Sequence, residues 1–146
     1  MIPVPIQRMR SVWLRLAGVA AALSIALCAC AAPPKLTEAR LTRQDGSSLR
    51  RLFPGERVVQ LRTSVQDPGA ASTVKAILTT VDVLGHKNRR LAEQQGKVPI
   101  PEKGNRTELI FSFSLPRDWP VGTYRIDVQL DSQAMVQRTF EVRSAE

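Results

Sequence analysis

The chain has 146 residues, 21 Lys and Arg against 13 Asp and Glu, and a formal net charge of +8. A chain of this length holds one domain and excludes a multi-domain enzyme. Two Cys exclude a disulfide-dense scaffold and a four-Cys zinc site, and a single His excludes a multi-His metal centre.

The first stretch reads as an address. Arg8, Arg10 and Arg15, with no acid among them, precede an uncharged run from Leu16 to Ala29. Those fourteen residues fall short of the about 20 that span a bilayer core. They suit the apolar region of a secretory signal, with the arginines as its basic start. A buried core helix is the alternative, and an Ala-rich run leading straight into Cys and Pro-Pro fits it poorly.

The end of the run, Leu27-Cys28-Ala29-Cys30, resembles the lipobox of bacterial lipoproteins. The resemblance implies cleavage after Ala29 and lipid on Cys30. Cys28 fits worse as the lipidated residue, because Leu27 would then stand where a small residue is required. This divides the chain into a signal peptide (1–29, with Met9 as an alternative start), a lipidated Cys and Pro-rich tether (30–36), a domain (37–143) and a short tail (144–146). The processed chain has 117 residues, 18 basic and 13 acidic, for a net charge of +5. Its one Cys carries lipid, so no disulfide is available although the compartment permits one, and a core of about 110 residues must supply the stability. Ala31, rather than Asp, follows Cys30. In a two-membrane envelope that implies the inner leaflet of the outer membrane, facing the periplasm; in a single-membrane envelope, its outer face. Ala31-Ala32-Pro33-Pro34 is a stiff tether of about 3.1 Å per residue.

From Thr37 the hydrophobic pattern has period two. An early strand spans about Glu38 to Arg43. In Arg57 to Val65, Val59, Leu61, Thr63 and Val65 share one face and Val58, Gln60, Arg62 and Ser64 the other. Val74 to Val83 is apolar on both faces, as a central strand would be. Leu91 to Glu93 and Val98 to Ile100 read as short edge strands, Pro99 and Pro101 being suited to an edge. Leu109, Phe111, Phe113 and Leu115 alternate with Glu108, Ile110, Ser112 and Ser114. Tyr124, Ile126, Val128 and Leu130 alternate with Arg125, Asp127, Gln129 and Asp131, which predicts both acids on a solvent face. The last strand, about Met135 to Arg143, turns Val136, Phe140 and Val142 inward, and Arg138 with them unless a bulge intervenes or it lies at a rim. Phe53-Pro54-Gly55-Glu56, Asp67-Pro68-Gly69, Trp119-Pro120-Val121-Gly122 and Asp131-Ser132-Gln133 are the turns. About seven short antiparallel strands at this spacing predict an all-β sandwich.

The segment Asp118 to Ile126 resembles the start of strand F in immunoglobulin-like and fibronectin III-like domains: Gly122, Tyr124 two residues on, and a core residue, Ile126, two further. Phe53-Pro54-Gly55-Glu56 and Thr139-Phe140-Glu141-Val142 resemble bacterial modules of that kind. The resemblance covers about residues 37–143 and implies a tyrosine corner at Gly122 and Tyr124, with the hydroxyl bonded to a nearby carbonyl and Trp119 closing one end of the sandwich.

Chemistry-bearing constellations are few. His86 lies in the polar run Gly85 to Arg90 without a second His or a free Cys, so no catalytic residue, metal ligand or cofactor site is expected, and a hydrolase-like activity ranks last. Two basic groups stand out: Arg40, Arg43, Arg50 and Arg51 soon after the tether, and Lys87, Arg89 and Arg90. They suggest envelope polymers or anionic lipid headgroups as one class of partner; nucleic acid would need interleaved aromatics that are missing. The leading expectation is a non-catalytic, membrane-anchored envelope protein that binds or scaffolds a protein partner. Its docking surface would be a sheet edge around 89–101, with Leu91, Val98 and Ile100.

Overall fold

The computed structural model describes residues 32–144, so the expected signal peptide, Met9, Cys28 and Cys30 lie outside the described residues. Eight strands follow one another: β1 (Lys35–Thr42), β2 (Arg51–Leu52), β3 (Val58–Gln66), β4 (Thr73–Val83), β5 (Arg90–Lys97), β6 (Arg106–Ser114), β7 (Gly122–Leu130) and β8 (Val136–Val142). They form two sheets, β1-β3-β6 and β2-β8-β7-β4-β5. The all-β expectation holds, with eight strands in place of about seven. Pairing is antiparallel except for the two-residue β2, which runs parallel to β8.

Alternation explains the core. Val59, Leu61, Thr63 and Val65 of β3, and Phe111 and Phe113 of β6, face Val74, Ala76 and Leu78 of β4, Tyr124, Ile126, Val128 and Leu130 of β7, and Phe140 and Val142 of β8. Each fully buried Leu, Ile or Phe contributes about 1.5–3 kcal/mol relative to exposure. Thr63 belongs in this apolar row because its hydroxyl donates to the Leu109 carbonyl at 3.3 Å.

Three details differ from the sequence pattern or complete it. Of the two short edge strands expected, Leu91 to Glu93 lies within one longer strand, β5, paired with β4 from Thr73↔Lys97 to Thr79↔Arg90 with a register shift between Leu78 and Thr79, whereas 98–100 follows β5 outside any strand. Val98 is not on that edge: it is 1% exposed, and its N–H donates to the Ser72 carbonyl at 2.9 Å. Arg138 keeps its place in the inward row without a bulge, opposite Ile126, and lies at the rim, where Nε donates to the Ala39 carbonyl of β1 at 2.7 Å.

Asp127 is a correction. It is buried on the outer face of the larger sheet, opposite Ile77, which is itself 7% exposed. Arg125 covers it, with Nε 3.0 Å from Oδ1 and 3.2 Å from Oδ2. Oδ1 is the oxygen without an aligned hydrogen bond, so the guanidinium serves it as an ion-pair partner only. Asp131 remains exposed and caps the sheet, its carboxylate accepting the Thr73 N–H at 2.9 Å.

The two ends of the domain are distinct. At one end Lys35, at the start of β1, pairs with Gln66, and the Gln133 side-chain amide donates to the Pro34 carbonyl; the expected tether thus ends at Pro34, since Lys35 and Leu36 belong to β1. The opposite end carries the 84–89 turn between β4 and β5 and the 115–121 loop between β6 and β7. β1 carries Arg43 to that far end.

Candidate binding site at the hairpin end

The hairpin end is built around one aromatic cluster. Trp119 stands edge-on to Tyr124 (ring centroids 5.2 Å) and to Phe140 (5.5 Å), and Tyr124 stacks on Phe140 at 5.3 Å. The polar tips are paired: Trp119 Nε1 donates to the Arg57 carbonyl at 2.9 Å, and the Tyr124 hydroxyl to the Pro120 carbonyl at 2.7 Å. Burial pushes the Tyr124 phenol up to about 12, with the Arg117 guanidinium pulling the other way. Gly122 opens β7 because a Cβ there would strike the Asp82 carbonyl and stand 2.8 Å from Val83 Cγ2.

On the other side of Tyr124 lies a cleft of about 460 Å³. Its walls are Val83, Leu84 and Leu91 from the β4–β5 hairpin and Leu115, Pro116 and Pro120 from the β6–β7 loop. Thr80 and Tyr124 line it from the core side. Arg89 and Arg117 are its charged residues, His86 lines it too, and no acid does. That volume is within the range of small-ligand pockets, about 300–1,000 Å³.

The hairpin that forms one lip is strained. Val83 and His86 exchange backbone hydrogen bonds at 3.1 and 2.8 Å, leaving Leu84 and Gly85 as a two-residue loop. Both have positive φ, +49° and +79°, as in a type I′ turn, which favours Asn-Gly. Leu84 in this conformation costs about 1 kcal/mol, yet its side chain is 75% exposed.

The basic residues separate into two kinds. Arg43 organises its own loop: Nε bonds Glu56 at 2.7 Å, and the two Nη atoms bond the carbonyls of Ser48 and Arg51 at 2.8 and 2.9 Å. Glu56 returns a bond to the Phe53 N–H at 2.8 Å; burial would raise its carboxyl, but the Phe53 amide and Arg43 together hold it below the ordinary value. Arg40 pairs with Glu38 at 3.3 Å, Arg51 with Glu141 at 3.9 Å and Arg90 with Glu93 at 2.8 Å. Among the described residues nine Lys and Arg take part in no ion pair, Arg50, Lys87, Arg89 and Arg117 among them. Arg89 and Arg117 line the cleft, and Arg117 was not singled out in the sequence: it stands alone between Pro116 and Asp118, with no cluster to mark it.

The structure places the three expected edge residues apart. Leu91 lies on β5 and lines the cleft, Val98 is in the core, and Ile100 is 63% exposed beyond the far end of β5. His86 sits exposed in the hairpin with no second titratable partner bonded to it.

No family model and no curated protein matches the chain. Several solved structures are similar to it, three of which follow. An alkylpurine DNA glycosylase, AlkC, from Pseudomonas fluorescens, bound to DNA containing an abasic-site analogue, matches at TM-score 0.48 and 15% identity, over 75% of this chain and 30% of that one. A β-glucosidase from Listeria innocua matches at TM-score 0.49 and 12% identity, over 77% and 16%. The C-terminal domain of Wzt matches at TM-score 0.48 and 13% identity, over 77% and 75%. This chain therefore spans less than a third of the glycosylase and of the glucosidase.

Proposed function

We propose that the protein is a non-catalytic envelope lipoprotein, anchored through Cys30, whose immunoglobulin-like or fibronectin III-like sandwich binds a protein partner on the β5 edge. The observation that carries this reading is the position of β5. It is the last strand of the five-stranded sheet, so one side of its backbone has no neighbouring strand, and an unpaired edge accepts an added strand. The sheet order, with β1, β3 and β6 facing β5, β4, β7 and β8, supports the finer fold assignment, as does the Tyr124–Pro120 hydrogen bond.

A photocrosslinking residue at Leu91, in the lipidated protein in cells, tests the reading. One dominant protein crosslinks from Leu91, and not from the same probe at Ile100 or at Ile110 on the outer face of the smaller sheet. Recovery only in lipid or cell-wall fractions overturns it in favour of the basic surface. Replacement of Cys30 by Ser releases the protein from the membrane fraction; release by Cys28→Ser instead contradicts the assignment of the lipid.

A further inference from the structure

The edge of β5 is not uniformly open. β5 and β6 face each other as the last strands of their sheets, and part of that seam is closed. Gln94 Nε2 donates to the Ser112 carbonyl at 2.7 Å, and at Gly96 a Cβ would stand 3.4 Å from the Phe111 ring. That leaves Arg90 to Glu93, where the ladder with β4 shifts register between Leu78↔Ala92 and Thr79↔Arg90 and Leu91 is the extra residue. This open stretch runs to the cleft, which Leu91 of β5 and Leu115, just after β6, both line.

β5 begins at the cleft and runs away from it, so a strand added antiparallel to it runs toward the cleft and brings its C-terminal carboxylate to the 115–120 loop. The cleft provides Arg89 and Arg117, without ion-pair partners among the described residues, and no lining acid. Arg89 is held in place by its backbone: Thr80 N donates to its carbonyl at 2.9 Å, and its own N–H donates to Thr80 Oγ1 at 3.0 Å. The remaining wall is apolar and suits a terminal hydrophobic side chain. An acyl chain with an anionic head would match the cleft but leave the strand edge unsatisfied.

We propose that the cleft captures the C-terminal carboxylate and last apolar side chain of a partner polypeptide whose preceding residues pair with the Arg90–Glu93 edge of β5. This rests on the reading of β5 as a docking edge and adds which part of the partner docks. Arg89 and Arg117 hold the carboxylate by charge-assisted hydrogen bonds, and Leu84 closes over the terminal side chain.

The test uses the full chain, immobilised in detergent micelles, and three peptide pools. The first holds octapeptides of Thr, Val and Ser ending in Leu, Val, Ile or Phe as free acids. The second holds the same sequences as carboxamides. The third holds the free acids with alternate backbone amides methylated. Free acids are retained about ten-fold over amides, as expected for loss of a charge-assisted contact. Methylation lowers retention by a similar factor. Arg89→Gln and Arg117→Gln each reduce the acid preference about ten-fold, while Leu84→Asn, which relieves strain and so keeps the fold, reduces retention of both. Equal retention of acids and amides overturns the carboxylate site; if methylation still abolishes it, the docking edge survives alone. Retention of no pool overturns the inference, and crosslinking from Leu91 then judges the docking edge separately.

Discussion

Tyr124 divides the hairpin end into a filled half and an open half. On one side Phe140 stacks on its ring and Trp119 stands against it edge-on, with every polar tip bonded. On the other side the same ring lines a cleft. One loop, 115–121, builds both halves: Trp119 points into the core, and Leu115, Pro116, Arg117 and Pro120 point to the cleft. The filled half obeys the rules of stability, with close packing and satisfied hydrogen bonds. The open half departs from them, with an exposed leucine at positive φ beside a cleft that Arg89 and Arg117 line without an acid. Local rules broken together at one place mark a functional surface more convincingly than any one of them alone.

Substitutions on the two sides should therefore behave differently. Trp119→Ala removes the wedge of the filled half and leaves the Arg57 carbonyl without its donor. It should destabilise by about 4 kcal/mol, read from the denaturant midpoint. Gly122→Ala forces a Cβ onto the Asp82 backbone and should cost about 2–3 kcal/mol in the same assay. On the open side the sign reverses: Leu84→Asn creates the Asn-Gly pair that a type I′ turn favours, and should stabilise by about 1 kcal/mol. A lower thermal midpoint in that variant would remove strain from the account.

The smallest effect concerns pH. Tyr124 is the one tyrosine in the chain, so phenolate absorbance reports it directly. Its phenol is raised from 10.0 to about 12, first by burial. A raised acid means that the folded state favours the neutral form. Its share of stability is therefore complete below pH 10 and is lost as the pH rises toward 12. Tyr124→Phe should abolish that alkaline dependence. Arg117→Gln should move the absorbance step further up, because the guanidinium on the cleft side pulls it down.

Most of the framework was legible because alternation is a direct record of burial. β3, β6, β7 and β8 lie within a residue of the spans read from period two. β4, apolar on both faces, is indeed central, with Ile77 buried on the outer face. What escaped the pattern is set by partners rather than by local residues. Gln94-Gln95-Gly96 has little strand propensity, and these residues extend because β4 pairs with them and Phe111 lies beneath Gly96. β2 is two residues long and exists only against β8. Asp127 looked like a solvent-face residue because part of its cover, Ile77, comes from β4, and Arg125, two residues before it on β7, folds over it. The cleft was half legible. Leu91 and Arg89 stand in the segment expected to dock a partner, but Arg117 lies distant in sequence. The hairpin went unread because Leu-Gly is not the usual chemistry of its turn.

The most direct test of the central claim places the photocrosslinker at Leu91 in cells, with and without Leu84→Asn, and follows thermal stability alongside. If the open half is a binding surface, the variant melts higher and the Leu91 crosslink to its partner falls at least several-fold. A variant that melts higher with an undiminished crosslink would show that the exposed leucine and the cleft beside it take no part in binding.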